Sequence, residues 1–141
     1  MAHLITKIAE YAIILDENNK FLMLKFSKET NSSEGWIFPG GRLDIEDNPK
    51  QGLVREIKEE TGLEVEVLFP CDVTMWGLDD DQRYAVFFVC RLKGSSEVKL
   101  SNEHQDSNWF SFDKLEEINF HDKSFRTVLL NTLKLVNNYN S

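Results

Sequence analysis

The chain has 141 residues, 41% hydrophobic and 28% charged, which is enough to bury one core without cross-links and too apolar for extended disorder. Its formal net charge of −8 disfavours a protein that grips polymeric nucleic acid, because such binding draws on clustered Lys and Arg. A small anionic ligand remains open, since metal ions held by an acidic site can meet it.

The N-terminal stretch is interrupted by Lys7 and Glu10 and lacks the unbroken apolar segment of a signal peptide. No run approaches the roughly 18 apolar residues of a membrane span, so no membrane is expected and cytoplasmic residence follows by default. The two cysteines, Cys71 and Cys90, sit in apolar stretches without CxxC or Cys/His spacing. They are expected as small buried hydrophobes in a reducing compartment. No repeat, low-complexity tract or linker divides residues 1–141, which are expected to form a single domain.

In chain order, residues 8–15 read as a strand, residues 16–19 (Asp-Glu-Asn-Asn) as a turn, and residues 21–26 as a returning strand. The polar stretch 27–35 is expected as an exposed loop, a candidate lid. Trp36-Ile37-Phe38 is a short apolar piece that ends at a Pro39-Gly40-Gly41 turn. A helix should start near Asn48-Pro49, capped by Asp47 or Asn48, and stop at Thr61-Gly62, where glycine tolerates the left-handed conformation. Leu53, Val54 and Ile57 would anchor it. Two longer strands follow, at 64–77 and 83–92, joined across Asp79-Asp80-Asp81. A loop is expected over 94–106, then a last strand at Trp109-Phe110-Ser111. Phe125, Val128, Leu129, Leu133 and Val136 mark a second helix, with Thr132 the polar residue on that face. The order of elements predicts an α/β (α+β) fold with a mixed sheet between helices.

The chemistry is concentrated on the first helix. Glu59 and Glu60 stand three and four residues after Glu56, so the three carboxylates converge on one side of a helix. Arg55, four residues before Glu59, is within reach to orient it. Like charges this close repel, and a divalent cation with hard oxygen ligands, Mg²⁺ foremost, would remove the conflict. A bare ExxEE is by itself more often a solvated acidic face.

The surrounding frame decides between these. The segment resembles the Nudix box, G-x5-E-x7-R-E-U-x-E-E-x-G-U with U aliphatic, at Gly41, Arg55, Glu56, Ile57, Glu59, Glu60, Gly62 and Leu63. Eight such matches arise by chance in about one chain in 10⁷ at average residue usage. The box spans 23 of the 141 residues, and Trp36–Gly41 also looks like the strand and turn that precede it. One position departs: the family's first glutamate is Asp47 here, expected both to cap the helix and to brace Arg55.

Resemblance to the Nudix family, and to its MutT-like members in particular, implies an α/β/α sandwich. It implies a hydrolase that cleaves a diphosphate linkage in a nucleoside diphosphate derivative, with Mg²⁺ (or Mn²⁺) as cofactor. The same resemblance makes Glu56, Glu59, Glu60 and the carbonyl of Gly40 metal ligands, Glu59 also a candidate base, and Arg55 the residue that holds the glutamates. Gly41, Asp47 and Gly62 are structural positions of the box. Glu103, six residues before Trp109, resembles in its spacing the distant acidic residue of MutT-type members and is a candidate catalytic base. His104, its neighbour, is a weaker candidate and is expected to be solvated. Lys25 is a candidate phosphate contact and Trp36 a candidate nucleobase contact, with Trp76, Tyr84 and Phe120 as further stacking candidates.

The expected partner is a small-molecule nucleotide, bound by a monomer or homodimer. A nucleoside triphosphate is the leading substrate; ADP-ribose, a nucleotide sugar or a dinucleoside polyphosphate is the enzymatic alternative. A Nudix-fold ligand-binding module without catalysis is the alternative of another class, disfavoured because all three helix glutamates are present.

Overall fold

The computed structural model describes residues 2, 6–26, 35–44, 48–77 and 82–139. Its strands are β1 (Lys7–Leu15), β2 (Phe21–Phe26), β3 (Gly40–Arg42), β4 (Glu64–Trp76), β5 (Arg83–Lys93) and β6 (His104–Phe110). Helix α1 (Pro49–Thr61) lies between β3 and β4, and α2 (Ser124–Tyr139) closes the chain after a 3₁₀ segment at Phe112–Glu117. The strands form one mixed sheet in the order β4-β5-β1-β2-β6, with β3 also paired to β1. Only β1 and β5 run parallel; the other pairs are antiparallel.

The β1–β2 turn closes because Asp16 Oδ1 accepts the backbone N–H groups of Asn18 and Lys20 at 2.8 and 2.9 Å. Asn19 takes the left-handed conformation, φ 58°, that asparagine tolerates better than most residues. From Ala9 to Leu15 every β1 residue is buried, so both faces of the central strand are covered. On one face Phe125 of α2 packs against Tyr11, Phe38, Phe87 and Trp76. Helix α1 packs against β1, β3 and β4 and completes the α/β/α arrangement.

Helix α1 starts and stops where its local chemistry requires. Asn48 is the cap, its Oδ1 accepting from the Gln51 N–H, and Pro49 follows in the first turn. The cap expected as Asp47 or Asn48 is therefore Asn48; Asp47 itself lies outside the described residues. Gly62 ends the helix at φ 75° and donates its N–H to the Lys58 carbonyl. Leu53 and Ile57 are fully buried, each stabilising the fold by about 2 kcal/mol, while Val54 is half-buried against the same core.

Strand β4 contains Pro70, which cannot donate to a ladder. It is tolerated because β4 is an edge strand and its register shifts between Pro70 and Asp72. In α2, Phe125, Val128, Leu129 and Val136 are buried and Leu133 is half-buried. Thr132 is buried with them because its hydroxyl donates back to the Val128 carbonyl at 2.7 Å. Both cysteines are free thiols; Cys90 is buried, whereas Cys71 is only half-buried, beside the Thr132 hydroxyl.

Three expectations need correction. Gly40–Arg42 is not only a turn but a short strand, paired with Ala9–Tyr11. The last strand begins at His104 rather than Trp109, so the loop before it ends near Glu103. His104 is consequently buried, stacked on Phe26 at 5.2 Å between ring centroids, and not a solvated loop residue.

Candidate active site

Strand β3 and helix α1 meet at Gly40. Its backbone N–H donates to Glu60 Oε2 at 3.3 Å, joining the turn that precedes the box to the helix's last turn. Gly40 has φ +138°, and a Cβ there would collide with the Glu10 carbonyl oxygen and the Tyr11 backbone. Only glycine fits. At Gly41 the constraint differs, since a Cβ would meet Glu56 Oε2 at 3.8 Å, an ordinary contact that places this carboxylate directly over the strand.

The helix glutamates and the loop before β6 enclose a cleft of about 340 Å³ lined by Glu56, Glu59, Glu60, Ser101, Asn102 and Glu103. Glu103, more than forty positions after the box glutamates in the sequence, is thus brought to the same cleft. The loop is held there by backbone bonds: Lys99 N–H donates to the Thr61 carbonyl at 2.8 Å and Ser101 N–H to the Glu60 carbonyl at 3.1 Å. These satisfy carbonyls that the end of α1 would otherwise leave unpaired.

The carboxylates differ in environment. Glu60 is 5% exposed, and burial pushes its carboxyl up to about 8; the Gly40 N–H opposes the shift, while the charges of Glu56, Glu103 and Glu59 add to it. Glu56 is half-buried and also raised, first by burial and then by the Glu59 charge. Glu59 and Glu103 are exposed. Arg55 sets its guanidinium 3.7 Å from Glu56 Oε1 and 3.9 Å from Asp44 Oδ2. Asp44 had no signal in the sequence that set it apart from the neighbouring acids.

The donor set suits a hard divalent cation: carboxylate oxygens from one helix face and one loop, beside a backbone that only glycine lets approach. Among the described residues no three acidic or histidine side chains already converge on a single ion.

Lys25 and Trp36 are brought to each other, not to the glutamate cleft. The Lys25 ammonium lies 4.7 Å from the centre of the Trp36 ring, whose edge meets Phe110. Of the other stacking candidates, Trp76 is buried with Tyr11 and Phe125 and carries the Arg83 guanidinium on its face at 4.5 Å. Tyr84 is partly exposed and Phe120 half-buried. The candidate lid lies outside the described residues apart from Gly35. Sequence reading missed Ser101 and Asn102; their place beside Glu103 in one short turn was the available signal.

The NUDIX domain profile matches residues 6–129. The chain belongs to the Nudix family. A MutT-like protein from Streptomyces ambofaciens is 30% identical over 106 residues, covering 74% of this chain and 64% of that protein. The chain thus spans less than two thirds of that relative's length. An RNA pyrophosphohydrolase from Campylobacter jejuni is 27% identical over 119 residues, covering 76% of each chain. The crystal structure of a MutT protein from Methanosarcina mazei Go1 superposes with a TM-score of 0.77 at 28% identity, covering 87% of this chain and 89% of that one. The Nudix assignment makes the chain a member of a hydrolase family, with the mixed α/β fold that family shares.

Proposed function

We propose that this Nudix protein is a Mg²⁺-dependent nucleoside triphosphate pyrophosphohydrolase of the MutT-like kind, releasing a nucleoside monophosphate and pyrophosphate. The observation that carries the reading is the single cleft formed by Glu56, Glu59, Glu60 and Glu103, beside the Gly40 backbone. Glu56, Glu59, Glu60 and the Gly40 carbonyl would hold the cation, which when bound polarises phosphoryl oxygens and lowers the pKa of water. Mn²⁺ would serve in the same donor set.

The protein's own groups have distinct tasks. Arg55 holds Glu56 in place from its outer side. Gly40 fixes the Glu60 carboxylate. Glu103, exposed at the tip of its loop, takes the proton of the attacking water, with Glu59 the other group able to do so. Water oxygen bonds to phosphorus, the bridging P–O bond breaks, and the leaving phosphate carries away the electron pair. Lys25 and Trp36, paired with each other outside the glutamate cleft, would meet a phosphate and the base of the substrate where these extend beyond it.

A second reading is favoured by the Campylobacter relatives, which are named for action on RNA. In it the same diphosphate chemistry acts on a 5′-polyphosphate end, against the expectation from net charge. ADP-ribose, nucleotide sugars and dinucleoside polyphosphates remain substrates of the same reaction class. No described helix is long and apolar enough to cross a membrane.

The test is a substrate panel with Mg²⁺ or Mn²⁺, scored for monophosphate and pyrophosphate. It includes nucleoside triphosphates, oxidised nucleotides, ADP-ribose, nucleotide sugars, dinucleoside polyphosphates and a 5′-triphosphorylated RNA. Turnover of nucleoside triphosphates above the rest supports the reading; preference for the RNA end would replace it with the second one.

A further inference from the structure

The glutamate cleft is lined almost wholly by groups that accept hydrogen bonds, yet a phosphate oxygen needs donors. Among the described residues lining it, the side chains that are not carboxyl groups are Ser101 and Asn102, and both can donate. They differ in one respect. Asn102 is exposed and exchanges bonds with water. The Ser101 hydroxyl is shut off from solvent and has no hydrogen-bond partner among the described residues. A buried hydroxyl left unsatisfied costs about 1–3 kcal/mol, so its retention beside the carboxylates calls for a function.

Its backbone is fixed. Ser101 N–H is bound to the Glu60 carbonyl, and its own carbonyl accepts from the His104 N–H at 3.3 Å. The hydroxyl, by contrast, turns about a single side-chain bond with three staggered positions, on a residue that lines the cleft.

We propose that Ser101 is a substrate-binding residue whose hydroxyl donates a hydrogen bond to a non-bridging phosphate oxygen of the bound nucleotide. The inference rests on the diphosphate-hydrolase reading above and adds a donor to a site otherwise built of carboxylates. Binding draws the hydroxyl out of a setting in which it has no partner, so the bond gains what the free protein forgoes.

The experiment measures the affinity of the Ser101→Ala variant for an α,β-methylene nucleoside triphosphate with Mg²⁺, by calorimetry, beside wild type and Asn102→Ala. The melting temperature of each is taken without metal. Expected is an affinity about 10-fold weaker for Ser101→Ala, as for loss of one hydrogen bond to a charged group, with a melting temperature equal to or above wild type. Asn102→Ala should stay within about 2-fold. KM should rise in Ser101→Ala while kcat holds. Unchanged affinity in Ser101→Ala overturns the proposal, as does a lowered melting temperature, which would reveal a structural partner for the hydroxyl. Loss confined to Asn102→Ala would overturn it in favour of that residue. Wild-type protein that binds no analogue would instead overturn the nucleoside triphosphate reading, and this inference with it.

Discussion

The Gly40 N–H and the Glu60 carboxylate are joined at 3.3 Å, so the turn before the box and the last turn of α1 form one rigid corner. The corner holds the Glu60 carboxyl at the cleft, and several consequences can be measured.

Gly40→Ala should be severely destabilising. The new Cβ meets the Glu10 carbonyl in a backbone conformation that other residues rarely adopt, at a cost of roughly 3 kcal/mol or more. Gly41→Ala should fold normally, since its Cβ makes only an ordinary contact with Glu56. Thermal melts of the two variants check this; equal losses would show that β3 is not packed as described.

Stability without metal should fall as pH rises from about 5 to 8. The folded protein keeps Glu60 protonated up to about 8, whereas the unfolded chain releases that proton near the ordinary glutamate value. Across this window the unfolded state binds fewer protons, so raising pH favours it. Added Mg²⁺ should reverse the trend, because its ligands must be deprotonated. Melts in EDTA at both pH values, with Glu60→Gln as control, measure the effect; a slope unchanged in Glu60→Gln would assign it elsewhere.

Asn48→Ala should cost about 1 kcal/mol through loss of the helix cap, seen as a fall of a few degrees in melting temperature. Asp47→Glu, which restores the family's residue, should leave activity within about a few-fold while metal binding follows the other box positions. Steady-state kinetics of that variant decide whether the shorter side chain matters.

How far each element could be read beforehand follows from where its information lies. Helix α1 was legible because Asn48-Pro49 and Gly62 are local signals and Glu56, Glu59 and Glu60 share a face by helix geometry alone. The box frame then pointed to that face as the candidate metal site. Strand β6 was read too short because His104-Gln105-Asp106-Ser107 carries no apolar alternation; it is a strand because Phe26, Lys25 and Leu24 pair with it from far along the chain. Gly40-Gly41-Arg42 has no strand propensity and extends only because β1 lies beside it. The burial of His104 follows from the β6 pairing and was illegible for the same reason. Glu103 stood out as a candidate by its spacing, but its company, Ser101 and Asn102, depends on the backbone bonds that zip the loop to the end of α1.

The central claim is that the four-glutamate cleft hydrolyses a diphosphate linkage with a divalent cation. Its most direct test is Mg²⁺-dependent release of nucleoside monophosphate from a nucleoside triphosphate by wild type, Glu59→Gln and Glu60→Gln, each confirmed folded by its melting curve. The expected result is turnover in wild type that EDTA abolishes, and rates at least about 10²-fold lower in both variants. Folded variants that hydrolyse the substrate at the wild-type rate would contradict the account.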